Sequence, residues 1–152
     1  MDKSLVYDDS KCTGCSYCNI ACTFSHKGLF GTSGSLIKII TNEKAMLHKA
    51  MFCHHCKMPT CMDLCTFGAI TKNSETGLVS VDSGECVGCG ECMKCPLGGM
   101  QIDKESQLAL NCDLCDGKPA CVRFCPTGAL QYSSPKEGHR IETPTVQPTS
   151  GG

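Results

Sequence analysis

Tryptophan is absent from this 152-residue chain, and aromatic residues make up only 5% of it. Its 41% apolar fraction counts cysteine as hydrophobic; without the 16 cysteines about 30% remains, too little for an ordinary globular core. The length suits one domain or two very small ones. A chain this short of core material needs disulfides, metals or a partner to hold it together. Neither sign of charge dominates, with 14 Lys and Arg against 15 Asp and Glu and a formal net charge of −1. The lysines form no basic block, which argues against a nucleic-acid partner. No apolar run approaches membrane-spanning length, so no direct membrane insertion is expected. The start, Met1-Asp2-Lys3-Ser4-Leu5-Val6-Tyr7, has no basic n-region, apolar h-region or twin arginine. The expected location is therefore the cytoplasm, where reducing conditions favour metal thiolates over disulfides. Also missing are a nucleophile–base pair, a phosphate-cradling glycine loop and paired carboxylates. The chain is thus expected to be non-catalytic by itself.

What is present is cysteine in four runs. The first is Cys12, Cys15, Cys18 and Cys22; the second is Cys53, Cys56, Cys61 and Cys65. The third is Cys86, Cys89, Cys92 and Cys95, closed by Pro96; the fourth is Cys112, Cys115, Cys121 and Cys125, closed by Pro126. The runs alternate as an internal repeat. Runs one and three share Cys-x-Gly-Cys-x-x-Cys. Runs two and four have a longer gap, with Pro59 or Pro119 two residues before the third cysteine. Cys65-Thr66-Phe67-Gly68-Ala69-Ile70 and Cys125-Pro126-Thr127-Gly128-Ala129-Leu130 end them in a similar phrase.

Such spacing suits [4Fe–4S] cubanes, which need four thiolates converging from different directions. Glycines in the gaps (Gly14, Gly88, Gly90) let backbone N–H groups approach the cluster. In two-cluster ferredoxins the fourth cysteine of a run ligates the other cluster, which fixes two clusters close together for electron transfer. Zinc is the rival reading, as a thiolate scaffold for protein or nucleic-acid interaction. Zinc sites usually take two separated Cys-x-x-Cys knuckles per metal, and a third and fourth cysteine beside each knuckle would crowd them. Four [4Fe–4S] clusters are therefore expected. At roughly −2 for each ligated 2+ cubane, they bring the net charge to about −9 and favour basic docking faces on partners.

Alternation alone permits runs one-with-two and three-with-four, or one-with-four and two-with-three. The segment between runs two and three, by its hairpin and length, matches the middle of a bacterial ferredoxin and favours the second pairing. The expected fold is α+β: two bacterial-ferredoxin-like 2[4Fe–4S] units, one inserted in the other, with short β-hairpins, short helices and an irregular C-terminal tail. The outer unit is residues 1–35 plus 104–132, and the inner unit with its preceding hairpin is residues 36–103. Residues 133–152 form a flexible or partner-docking tail, rich in Pro, Ser, Thr and Gly. A short strand is expected at residues 5–7. Hairpins are expected from residues 36–41 against 45–52, 68–70 against 78–81, and 100–102 against 108–110, with a last strand at 129–132. Residues 23–35 read as a loop punctuated by Gly28, Gly31 and Gly34. The segment 23–52 as a whole reads as a cover over a cluster.

Residues 5–132 resemble the polyferredoxin-type electron-transfer subunits of molybdenum- and tungsten-pterin oxidoreductases. That resemblance implies one cluster on Cys12, Cys15, Cys18 and Cys125, and a second on Cys53, Cys56, Cys61 and Cys95. It implies a third on Cys86, Cys89, Cys92 and Cys65, and a fourth on Cys112, Cys115, Cys121 and Cys22. The phrase Cys22-Thr23-Phe24-Ser25-His26-Lys27-Gly28 is similar to small subunits found with aldehyde ferredoxin oxidoreductase-like tungsten enzymes, benzoyl-coenzyme A reductases and carbon monoxide dehydrogenases. The implied function is relay of electrons between a tungsten- or molybdenum-pterin catalytic subunit and another redox carrier, a further subunit or copies of the chain itself. A nickel carbon monoxide dehydrogenase or hydrogenase is the alternative partner. The chain departs from the family's usual pattern in having two residues, not three, between Cys92 and Cys95. His54 and His55 sit inside run two but are expected beside a cluster rather than as ligands. His26 is expected near a cluster or closing a turn, and Asp8, Asp9 and Asp113 in turns.

Overall fold

The computed structural model describes residues 3–134. Most of the tail expected over 133–152 lies outside the described residues. Among the described residues are eight short strands, three α-helices and three 3-10 turns, the α-helices carrying cysteines of the runs. β1 (Ser4–Tyr7) pairs antiparallel with β8 (Leu130–Ser133), from Ser4 opposite Ser133 to Tyr7 opposite Leu130. This ladder joins the two ends of the described chain. The other strands form three local hairpins: β2 (Lys38–Asn42) with β3 (Leu47–Met51), β4 (Ile70–Lys72) with β5 (Val79–Val81), and β6 (Met100–Ile102) with β7 (Ala109–Asn111). All three fall at the expected places in the chain, except that β4 starts at Ile70, where the expected strand over 68–70 ends. The turns follow from Asx chemistry: the Asn73 carboxamide oxygen accepts from the N–H groups of Glu75 and Thr76, and the Asp103 carboxylate accepts from Ser106 N–H.

The helices follow the cysteine spacing. α1 (Tyr17–Lys27) contains Cys18 and Cys22; α2 (Thr60–Leu64) contains Cys61 and leads into Cys65; α3 (Ala120–Arg123) contains Cys121 and leads to Cys125. Each of these pairs is spaced i, i+4, which an α-helical turn sets side by side about 5–6 Å apart. Cys92 and Cys95 are spaced i, i+3, and there the chain makes a 3-10 turn over Glu91–Lys94, with Cys95 N–H donating to Cys92 C=O at 3.1 Å. α1 is the main departure from the sequence reading. It carries on through Thr23–Lys27, where a glycine-rich loop was expected. Gly28, at φ +66°, ends it as a left-handed cap whose N–H donates to Phe24 C=O at 2.9 Å. His26 and Lys27 in its last turn suit the negative end of the helix dipole.

Two apolar clusters form the core, and cysteine is part of both. The larger gathers Leu5, Leu36, Ile37, Ala50, Phe52, Leu114 and Leu130 around Cys18, Cys22, Cys53, Cys112 and Cys121. The smaller gathers Ile70, Val79, Met100 and Ala109 around Cys61 and Cys92. Phe52 is the only phenylalanine in the core, 1% exposed; Phe24, Phe30, Phe67 and Phe124 are all at least half exposed. Lys27 reaches from the end of α1 to Asp103, in the β6–β7 turn, at 2.7 Å and ties distant parts of the sequence together.

Candidate metal centres

The runs do not fold as four separate loops. Cys12, Cys15 and Cys18 share a hollow of about 310 Å³ with Cys125, walled by Tyr7, Ile39, Ala129 and Leu130. Cys86, Cys89 and Cys92 share one of about 330 Å³ with Cys65, walled by Phe67, Ala69, Ile70, Val87 and Ala109. In each, three sulfurs come from one run and the fourth from the end of another. The thiols report their neighbours electrostatically. Burial pushes Cys18 up to about 11, with Cys15, Cys12 and Cys125 adding to it and Asn19 opposing. Burial also raises Cys92, reinforced by Cys86, Cys89 and Cys65.

The remaining eight cysteines also act on one another electrostatically. Burial pushes Cys61 up to about 11, and Cys53, Cys95 and Cys56 push the same way. Burial pushes Cys121 up to about 12, joined by Cys22, Cys115 and Cys18. Cys112 is raised by burial too, with Cys121, Cys22 and Cys53 adding to it and the Leu114 N–H opposing. Cys95, despite its short step from Cys92, sits with Cys53, Cys56 and Cys61.

All sixteen cysteines are free thiols. Four thiols converging in an apolar recess repel one another once ionised, and the arrangement is satisfied only by a compact polycation between them. The donor set is all sulfur, the walls are largely apolar, and the recesses are rimmed by backbone. These residues fit a cubane iron–sulfur cluster. Backbone N–H groups aim at the sulfurs: Leu36 at Cys22 at 3.2 Å, Leu114 at Cys112 at 3.4 Å and Ala109 at Cys86 at 3.5 Å. Sequence reasoning looked for such donors in the glycine gaps and missed these three, which come from elements after a turn. Gly88, at φ +70°, is needed for close approach, because a Cβ there would fall on the Gln107 carbonyl oxygen. Gly99 packs on Cys53, whose Cα would lie 2.7 Å from an added Cβ.

The segment 36–52 covers the first hollow. Ile39 lines it, and Tyr7 O–H donates across it to His48 C=O at 2.8 Å. Burial, with the nearby Cys12 thiol, holds Tyr7 in its protonated form. The histidines lie beside the thiols. His26 Nδ1 is 2.9 Å from Cys22 C=O and 3.8 Å from its sulfur, and His26 Nε2 is 3.1 Å from Asp113 Oδ1. Asp113 is thus more than a turn residue, although it also accepts from Cys115 N–H at 2.8 Å. His54 stacks on Phe52, and His55 Nδ1 accepts from Val79 N–H at 3.0 Å.

Residues 44–134 match the model of the 4Fe-4S dicluster domain. The chain belongs to that family. It is an iron–sulfur protein of the electron-transfer kind, and the match begins after the first cysteine run. A putative electron transport protein of Escherichia coli K12, YsaA, is 33% identical over 142 residues, covering 86% of this chain and 89% of that protein. The thiosulfate reductase electron transfer subunit PhsB of Salmonella typhi is 30% identical over 142 residues, covering 84% of this chain and 73% of that one. The beta subunit of NADH-dependent phenylglyoxylate dehydrogenase from Aromatoleum evansii is 34% identical over 132 residues. The match there takes in 85% of this chain but only 30% of the relative. Among solved structures, a chain of the BamBC active site complex of benzoyl coenzyme A reductase shares the fold. Its TM-score is 0.53 at 22% identity, over 88% of this chain and 80% of that one. Among the described residues no helix is long and apolar enough to cross a membrane.

Proposed function

We propose that this chain is a non-catalytic electron-transfer subunit holding four [4Fe–4S] clusters and serving a tungsten- or molybdenum-pterin catalytic subunit in the cytoplasm. The observation that carries the reading is a pair of hollows, each lined by three cysteines of one run and the last cysteine of another. The proposed ligand sets are Cys12, Cys15, Cys18 and Cys125; Cys53, Cys56, Cys61 and Cys95; Cys86, Cys89, Cys92 and Cys65; and Cys112, Cys115, Cys121 and Cys22. The shared hollows and the mutual influence of the thiols support them. An outer unit of residues 1–35 with 104–132 round an inner one of 36–103 is supported by the β1–β8 ladder and the i, i+4 cysteine pairs.

A bound cubane supplies one-electron acceptance and release. The chain's own residues set the order and spacing. Cys18 and Cys22 share α1, so the first group adjoins the fourth. Cys53 raises Cys112, so the fourth adjoins the second. Cys61 lies in α2 and Cys65 caps its end, so the second adjoins the third. The result is a line, first–fourth–second–third. N–H groups on the thiolates steady the reduced state.

The pterin-enzyme partner is supported by relatives that serve as electron-transfer subunits and by the shared fold with BamBC. Anaerobic purification of the native complex tests both parts. About sixteen irons and sixteen sulfides per chain are expected, with tungsten or molybdenum in the largest co-purified subunit. Colourless, zinc-rich protein overturns the cluster reading, and nickel in the partner overturns the pterin reading alone.

A further inference from the structure

Asn111 is the last residue of β7 and immediately precedes Cys112. Its side-chain Nδ2 donates to Val79 C=O at 2.7 Å, with Cys112 C=O at 3.3 Å and Cys53 Sγ at 3.5 Å. The carbonyl acceptors identify the nitrogen end, and of its two N–H groups one serves Val79 C=O while the other is shared between Cys112 C=O and Cys53 Sγ. The other polar side chain near this sulfur is His55, whose Nδ1 lies 3.8 Å away. That nitrogen already accepts the Val79 N–H at 3.0 Å, so it presents a lone pair there and has no proton to offer Cys53. Asn111 is therefore the side-chain donor to Cys53, a residue fifty-eight positions earlier.

The position is also a junction. Asn111 touches Cys53 through space and Cys112 through one peptide bond, and these cysteines belong to adjacent groups. Val79, in the β4–β5 hairpin, has its C=O bound by Asn111 and its N–H by His55. One carboxamide thus holds two hairpins and two cysteine groups in register.

We propose that Asn111 is a positioning residue that raises the reduction potential of the cluster held by Cys53 and sets that cluster against its neighbour at Cys112. The inference rests on the four-cluster reading above. An N–H hydrogen bond to a ligating thiolate disperses its negative charge, which favours the reduced, more negative state. Losing it shifts the potential downward at that cluster alone.

The test is an EPR-monitored redox titration of the intact protein in its native complex, after counting iron and assigning the Cys53 signal as the one lost in Cys53→Ser. Asn111→Leu keeps size and removes the donor; Asn111→Asp keeps shape and places a carboxylate beside the sulfur. The expected result is an unchanged iron count, a downward shift of the Cys53-assigned potential in Asn111→Leu, and a larger one in Asn111→Asp. Four unmoved potentials, or an equal shift of all four, overturn the proposal. A wild-type iron count below four clusters overturns the underlying reading instead, before any variant is made. Should Asn111→Leu lose iron, Asn111→Thr, a good strand former without the reach to Cys53, is titrated in its place and read by the same outcomes.

Discussion

The two cysteine-lined hollows differ in what surrounds them. The one holding Cys12, Cys15, Cys18 and Cys125 is walled by a four-residue ladder, a covering hairpin and an eleven-residue helix, all resting on the larger apolar cluster. The one holding Cys65, Cys86, Cys89 and Cys92 has two hairpins of three-residue strands, a 3-10 turn, and half-exposed Phe67 and Val87 at its wall. The first region has apolar packing of its own. The second has only the smaller cluster of Ile70, Val79, Met100 and Ala109 beside its thiols, so it leans more on what those thiolates bind, as in small metal-dependent domains.

Removing the metal should break this symmetry most. On anaerobic chelation, amides of β4–β7 are expected to lose exchange protection entirely, while those of β1, β8 and α1 keep a measurable part. Equal loss in both regions, read by hydrogen exchange with mass spectrometry, would show that the larger cluster adds nothing of its own. Next in size is Gly88→Val, which places a branched side chain on the Gln107 carbonyl at a positive φ. It should delete the cluster signal of the second hollow and spare that of the first, as read by iron content and EPR.

Phe52→Ala probes the opposite side. Phe52 is fully enclosed in the larger cluster, and its truncation should cost about 3–5 kcal/mol. Denaturant unfolding of the cluster-loaded protein measures this; a cost under about 1 kcal/mol would mean that metal, not packing, holds the first region as well.

The smallest effect belongs to the His26–Asp113 pair. The Asp113 hydrogen bond, then Cys22, raises His26 well above the ordinary imidazole value of 6.5. The same bond lowers Asp113 from 3.8 to about 2. A raised imidazole contributes fully below its unfolded pKa and less as pH rises through its folded one. A lowered carboxylate contributes fully above its unfolded pKa and less as pH falls through its folded one. The stability gap between the wild type and His26→Gln should be widest between about pH 3.8 and 6.5 and should narrow on both sides. Asp113 is half exposed, so the gap is small. A gap independent of pH would reduce His26 to a packing residue.

Much of this molecule is legible as one-dimensional spacing. The i, i+4 spacing of Cys18 and Cys22 fits an α-helical turn, and Cys92 and Cys95, at i, i+3, fall on a 3-10 turn, because these are the periods at which side chains become neighbours. The hairpins are legible for the same local reason: short apolar runs flank turn-forming Asn, Asp and Gly. α1 was harder to see beyond Cys22, since Thr, Ser, His and Gly read as loop until packing and the Gly28 cap decide for helix. Lys27 meeting Asp103, Tyr7 meeting His48 and Asn111 meeting Cys53 have no local signal at all, being separated by forty to eighty residues.

By itself, then, the order of residues determined that the cysteines come in runs of four, where the chain turns, and that it has little apolar mass to fold on packing alone. Those are properties of spacing and composition, which need no partner in space. The tertiary structure decided that Cys125 lines one hollow with Cys12, Cys15 and Cys18 and Cys65 another with Cys86, Cys89 and Cys92, which N–H groups face the sulfurs, and which region has the larger core. These depend on contacts between distant segments, and such contacts exist only once the β1–β8 ladder and the hairpins have closed round the thiols.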